Sequence, residues 1–270
     1  MTDQYPKTRV PNLIHALLFL AITFLSLLVA EAFILAAAHG PYLEVMQNPR
    51  LQLIAEAFSY LIALIAAWYA FPYLWHRTFL EGIAWNRPAA RPRLILYGLA
   101  LGFATQAAES LLPIPKHLPM DDFFKSASLI WFLVILGTLV APLFEEIFFR
   151  GFLLPAIAIL IDWIRIPRKG TTLEALGALE TWRRGDDYSR PALIASSLIT
   201  SVLFALLHAP QLGYTWAAVA LLACISLVLC YVRIRFQSVA ASTLVHAFYN
   251  LSVFLTLFIA TGGFRHLDRA

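Results

Sequence analysis

Pro142-Leu143-Phe144-Glu145-Glu146-Ile147-Phe148-Phe149-Arg150 sets two adjacent carboxylates and an arginine inside a long apolar stretch. On insertion scales a charge at the centre of a bilayer costs roughly 2.5–3.5 kcal/mol. Three such charges this close together must face one another, a cavity or a reaction. Two later apolar segments each carry a histidine with a partner one helical turn away, Phe204 with His208 and His246 with Asn250. Together the three segments predict the polar interior of a membrane-embedded enzyme.

The rest of the chain suits that setting. Of its 270 residues, 60% are hydrophobic and 13% charged, where a soluble domain carries about 25% charge. The mean hydropathy is +0.74. The net charge of +4 does not predict a nucleic-acid partner. The bases sit in short loops beside apolar segments, where the positive-inside rule puts them. Cys224 and Cys230 share one apolar segment, which predicts helix packing rather than a disulfide framework or a zinc knuckle. Lys7 and Arg9 precede an apolar run from Leu13 to Ala38. That run is too long for the core of a signal peptide and suits a first transmembrane helix.

The predicted fold is an all-α, polytopic transmembrane bundle of seven or eight spans. Seven apolar stretches are counted, near 12–38, 51–75, 93–112, 127–161, 191–209, 214–232 and 238–261. Most approach the ~20 residues that cross a bilayer. The fourth would reach about 52 Å as a helix, and Pro142 near its middle should kink it. The predicted organisation is two N-terminal helices and a loop over 1–90, a catalytic bundle over 91–262 and a short tail over 263–270. Lysine and arginine concentrate in the N-terminus and in the loops at 76–93, 162–190 and 233–237. This predicts a multi-pass protein of the cell membrane with a cytoplasmic N-terminus. Within the longest loop, Thr171-x-x-Glu174 predicts a capping box opening a short interfacial helix.

In the fourth stretch, Glu146 and Arg150 are four apart and can pair on one helix face. Glu145 points about 100° away, so one carboxylate can neutralise the arginine while the other faces a cavity. The Phe204/His208 pair shares a face near a helix end, where a histidine can also serve as a cap. His246 and Asn250 could hold an oxyanion with side-chain donors or bond between helices as in ordinary membrane bundles. A glutamate, two histidines and an asparagine are the types needed to activate water and stabilise a tetrahedral intermediate. Glu145, His208 and His246 could also hold zinc as a His2Glu set. No His-Glu-x-x-His run is present.

The order Glu145-Glu146-x-x-x-Arg150, Phe204-x-x-x-His208, His246-x-x-x-Asn250 resembles the CPBP family of intramembrane proteases. That family includes the type II CAAX prenyl endopeptidases and bacteriocin-processing or self-immunity relatives. The resemblance covers roughly residues 90–260. It implies a helical bundle with a conical cavity, in which Glu145 and His208 activate water and His246 and Asn250 form the oxyanion site. Glu146, Arg150 and Phe204 are implied as supporting residues, with Glu146 and Arg150 setting the electrostatics of Glu145. It further implies a peptide or protein substrate, membrane-associated or lipidated, with no cofactor favoured and zinc as the alternative.

Two other functions use similar residues: a transporter or proton relay, and a non-enzymatic scaffold of the same fold. Glu31, Glu56 and Glu109, in the first three stretches, could line the cavity or bond to neighbouring helices, and packing or interface roles are favoured. The catalytic groups must meet at one depth. This requires the fifth helix to project into the cytoplasm, with residues 209–215 extended beyond His208.

Overall fold

The computed structural model describes residues 9–88, 91–115, 117–120, 129–166, 171–184 and 187–267. Lys7, Lys116, Lys125, Arg168, Lys169 and Arg269, on which the predicted orientation partly rests, lie outside them, as do the first two residues of the fourth predicted span and the end of the tail. Among the described residues the secondary structure is helical throughout, with no strand.

Asn12 opens α1 (Leu13–Ala38) with a reciprocal cap: His15 N donates to the Asn12 side chain while Asn12 N donates to His15 Nδ1. The short α2 (Tyr42–Gln47) leads into α3 (Pro49–Trp75), which Asn48 caps and Pro49 starts. Next come α4 (Phe79–Gly82), α5 (Arg91–Glu109) and the continuous α6 (Ile130–Ile164). The predicted capping box is present, with Thr171 N donating to Glu174 and Glu174 N to Thr171, at the head of α7 (Thr172–Arg184). The chain ends in α8 (Arg190–Leu207), α9 (Trp216–Phe236) and α10 (Val239–Ala260).

Among the described residues, six helices are long and apolar enough to cross a membrane: α1, α3, α6, α8, α9 and α10. The third predicted span is helical as α5 but is not among these six. Large apolar side chains cover the outside, including Ile14, Phe24, Tyr69, Leu96 and Ile259. Such an exterior matches a lipid solvent better than water.

Packing explains the order of the helices. Phe19 of α1 is fully buried and stacks on Phe144, Phe148 and Phe152, three positions spaced a turn apart along α6. Phe71, Trp75 and Phe79 close the same aromatic cluster. On α5, Gly98 and Gly102 form a small-x-x-x-small pair of the kind that lets membrane helices approach closely. A Cβ on Gly98 would lie 2.5 Å from the Val245 carbonyl, and one on Gly102 would collide with Ser252. The two glycines therefore seat α5 against the helix that carries His246 and Asn250.

The 35 residues of α6 are not uniform. Two π-helical segments, Leu136–Val140 and Ile147–Leu153, interrupt the α-helix. Pro142 and Pro155 each follow the end of one of them by two residues. A proline lacks an N–H and crowds the carbonyl one turn back, and a widened turn relieves both problems. The kink expected at Pro142 is thus built from a proline together with a π-bulge, and both are recognised causes of helix bends.

One end of the bundle gathers the basic loops. Arg9 Nη1 lies 3.8 Å from Asp162 at the end of α6, its Nη2 donates to the Asp187 carbonyl, and its guanidinium sits over the rings of Trp182 and Tyr188. Asn86 donates to the Gln237 carbonyl, and Val239 N donates to the Ala84 carbonyl. Ile83 and Val239 then pack into the aromatic cluster of α1, α3 and α6. The described parts of the N-terminus and of the three other base-rich segments therefore lie on the same face of the bundle.

The expectation of an extended chain over 209–215 is corrected. Residues 208–214 fold into consecutive turns, with Leu212 N bonded to the His208 carbonyl, Gly213 N to Pro210 and Tyr214 N to Ala209. Turns satisfy backbone groups internally, which an extended strand at membrane depth cannot do without a partner.

Candidate active site

Glu145 and Glu146 are neighbours on α6 between its two π-helical segments, yet they belong to different environments. Glu146 is fully buried and lies 2.8 Å from Arg150 Nη1, one turn on and equally buried. The guanidinium also donates through Nη2 to the Ser226 hydroxyl at 2.8 Å and to its carbonyl at 3.0 Å. The Phe204 ring centroid is 4.9 Å away on another side. A charge so far from water needs this many partners, because desolvation otherwise exceeds the Coulombic gain. Ser226 is a partner the sequence did not reveal: it is one small polar residue in an apolar helix and belongs to no motif.

The second hydrogen bond to Glu146 Oε1 comes from His246 Nδ1, at 3.0 Å. Glu146, paired with Arg150 as the spacing predicts, also orients the imidazole on α10. An ionised carboxylate only accepts, so the Nδ1 proton of His246 is fixed there and Nε2 points elsewhere. His208 is fixed in a parallel way. It sits at the C-cap of α8, and its Nδ1 donates to the Phe204 carbonyl at 2.8 Å. Again the proton is on Nδ1 and Nε2 is directed inward.

Both Nε2 atoms face Glu145. His208 Nε2 lies 3.8 Å from Oε1, and His246 Nε2 lies 3.8 Å from Oε2. The Glu145 side chain is 18% exposed and that of His208 24%, against 6% for His246. The three groups thus share one partly open space. At 3.8 Å they are not in direct hydrogen bond, and a polar gap of this size is what a bridging water spans. Phe204 forms the wall behind them, its ring 4.5 Å from His208 and 4.9 Å from Phe149.

Asn250 is one turn beyond His246 on α10. Its Nδ2 donates to the Gly137 carbonyl at 2.7 Å, inside the first π-helical segment of α6. The bond uses one amide hydrogen to tie α10 to α6 and leaves the second.

The donor types at Glu145, His208 and His246 are those of a His2Glu zinc site, with each Nδ1–H anchored as ligating histidines usually have it. The Nε2 of each ring lies 3.8 Å from a different oxygen of the carboxylate. Among the described residues no group of three His, Cys, Asp or Glu side chains is set to hold one.

A further acidic residue adjoins the site. Glu56 on α3 accepts a hydrogen bond from the Tyr60 hydroxyl at 2.6 Å, and the Tyr60 ring stacks on Phe144, the residue before Glu145.

Residues 127–252 match a family model described as type II CAAX prenyl endopeptidase Rce1-like. The match takes in Glu145, Glu146, Arg150, Phe204, His208, His246 and Asn250, and none of α1, α3 or α5. No curated protein and no solved structure matches the chain.

Proposed function

We propose, on the premise that residues 127–252 are an Rce1-like segment of the type II CAAX prenyl endopeptidase kind, that this protein is an intramembrane endopeptidase. Its substrate is a membrane-associated or lipidated peptide or protein, reached within the bilayer of the cell membrane. The observation that carries the reading is the Glu145 carboxylate lying between two imidazole Nε2 atoms at 3.8 Å each.

A water held between Glu145 and His208 loses a proton to them as its oxygen attacks the peptide carbonyl. The carbonyl oxygen becomes an oxyanion and receives hydrogen bonds from His246 Nε2–H and the free Asn250 amide hydrogen. For His246 to donate there it must be an imidazolium. Glu146, bonded to Nδ1, stabilises that cation as the aspartate of a catalytic triad does. Collapse of the intermediate breaks the C–N bond, and the proton taken from water passes to the leaving amine. Every step uses side chains of this chain and no metal. The basic face of the bundle is placed in the cytoplasm, where the positive-inside rule puts it, and the N-terminus with it.

The test compares peptides in membranes of cells carrying the wild type with those carrying Glu145→Gln. Peptides with new C-termini should appear with the wild type alone. Identical peptide sets, with both proteins folded and present at equal level, would remove the proposal.

A further inference from the structure

Glu56 lies outside the matched segment, yet α3 delivers it to the site. The face of α3 toward α6 is marked by Leu53, which packs with Leu136 and Phe254, and by Tyr60, whose ring stacks on Phe144 at 4.0 Å and 12°. Glu56 falls between these two contacts, one turn before Tyr60, and the Tyr60 hydroxyl holds it at 2.6 Å. Phe144 immediately precedes Glu145. A single stack therefore joins the residue that fixes Glu56 to the backbone that carries the catalytic carboxylate. Glu56 is half-buried.

We propose that Glu56, oriented by Tyr60, is a positioning residue of the active site, and that its negative charge assists proton removal from water by the Glu145–His208 pair. Two effects act in the same sense. A like charge beside Glu145 disfavours its bare carboxylate form, and an opposite charge near His208 favours its imidazolium. Both favour the state in which the pair has accepted the proton. Glu146 cannot supply this effect, because Arg150 and His246 already claim its charge. Glu56 touches neither water nor substrate in this scheme and acts through the pair alone.

The inference rests on the protease reading, and the experiment separates the two. The probe is the peptide whose release distinguishes wild type from Glu145→Gln, synthesised and presented in liposomes to the purified full chain. Glu56→Gln keeps the shape of the side chain and removes its charge. It should lower kcat roughly tenfold, the effect of about one unit of proton affinity, with KM unchanged. Glu56→Asp should recover part of the loss. Tyr60→Phe, which keeps the ring stack and removes the hydroxyl, should lower kcat less than Glu56→Gln does. Wild-type kcat in Glu56→Gln would overturn the inference while leaving the protease standing. A rise in KM equal to the loss in kcat/KM would overturn it too, in favour of substrate contact. If wild type and Glu145→Gln release the same peptides, the protease reading fails and carries this inference with it.

Discussion

His246 Nδ1 donates to Glu146 Oε1 at 3.0 Å, joining α10 to the middle of α6 across one hundred positions of sequence. The same oxygen accepts from Arg150. One atom therefore balances the buried arginine, sets the histidine tautomer and fixes the distance between two helices of the site.

Replacing Glu146 with Gln should be severe for stability as well as activity. The fully buried Arg150 would lose its counter-charge, and breaking a buried pair by removing one partner costs about 3–5 kcal/mol. Unfolding in detergent should show a large fall in Tm relative to wild type. An unchanged Tm would mean that Ser226 and the Phe204 ring suffice for the arginine.

Ser226→Ala removes one acceptor from Arg150 and leaves the Ser226 carbonyl in place. The cost should be modest, about 1.5–3 kcal/mol for a hydrogen bond to a charged group. It is read in the same unfolding measurement, and a cost equal to that of Glu146→Gln would contradict the primacy of the Glu146 carboxylate among the partners of Arg150.

Gly102→Leu should displace α10 from α5, because a side chain at this position meets Ser252 directly. Overpacking of this kind typically costs about 1–3 kcal/mol. Peptide cleavage should fall with it, since His246 and Asn250 ride on the displaced helix. Gly177→Leu is the control: a Cβ there meets nothing within 4 Å, and the variant should unfold and cleave like wild type.

Treatment with a strong zinc chelator should leave cleavage intact, since the proposed route takes the proton from water with Glu145 and His208 alone. Loss of activity restored by added zinc, together with metal recovered in the purified protein, would replace the Glu145–His208 water with a metal-bound one.

The orientation gives a labelling experiment. A cysteine placed at Arg87, on the basic face, should react with a membrane-impermeant thiol reagent only when the cytoplasmic side is open. One at Tyr42, on the connection at the opposite end of α1, should react in intact cells. The background is a chain in which the exposed Cys224 is replaced. The reverse pattern would place the N-terminus outside.

The local rules of helices and lipid made much of this protein legible from its sequence. Apolar runs such as Leu13–Ala38 can satisfy backbone groups in a bilayer only as helices, and four-residue spacing alone put Glu146 beside Arg150 and Phe204 beside His208. The bases of the short loops marked one face of the bundle for the same reason. What periodicity along one helix does not encode is the rotation and depth of one helix against another, and these only the tertiary structure decided. They gave Glu146 to His246 and Asn250 to Gly137, and they supplied Ser226 to the buried arginine. They also brought the Tyr60 ring, and Glu56 bonded to its hydroxyl, against Phe144 beside Glu145. Between helices in lipid no difference in polarity dictates the contact. Close fit decides it, through small residues such as Gly98 and Gly102 and through the few polar atoms that must find one another.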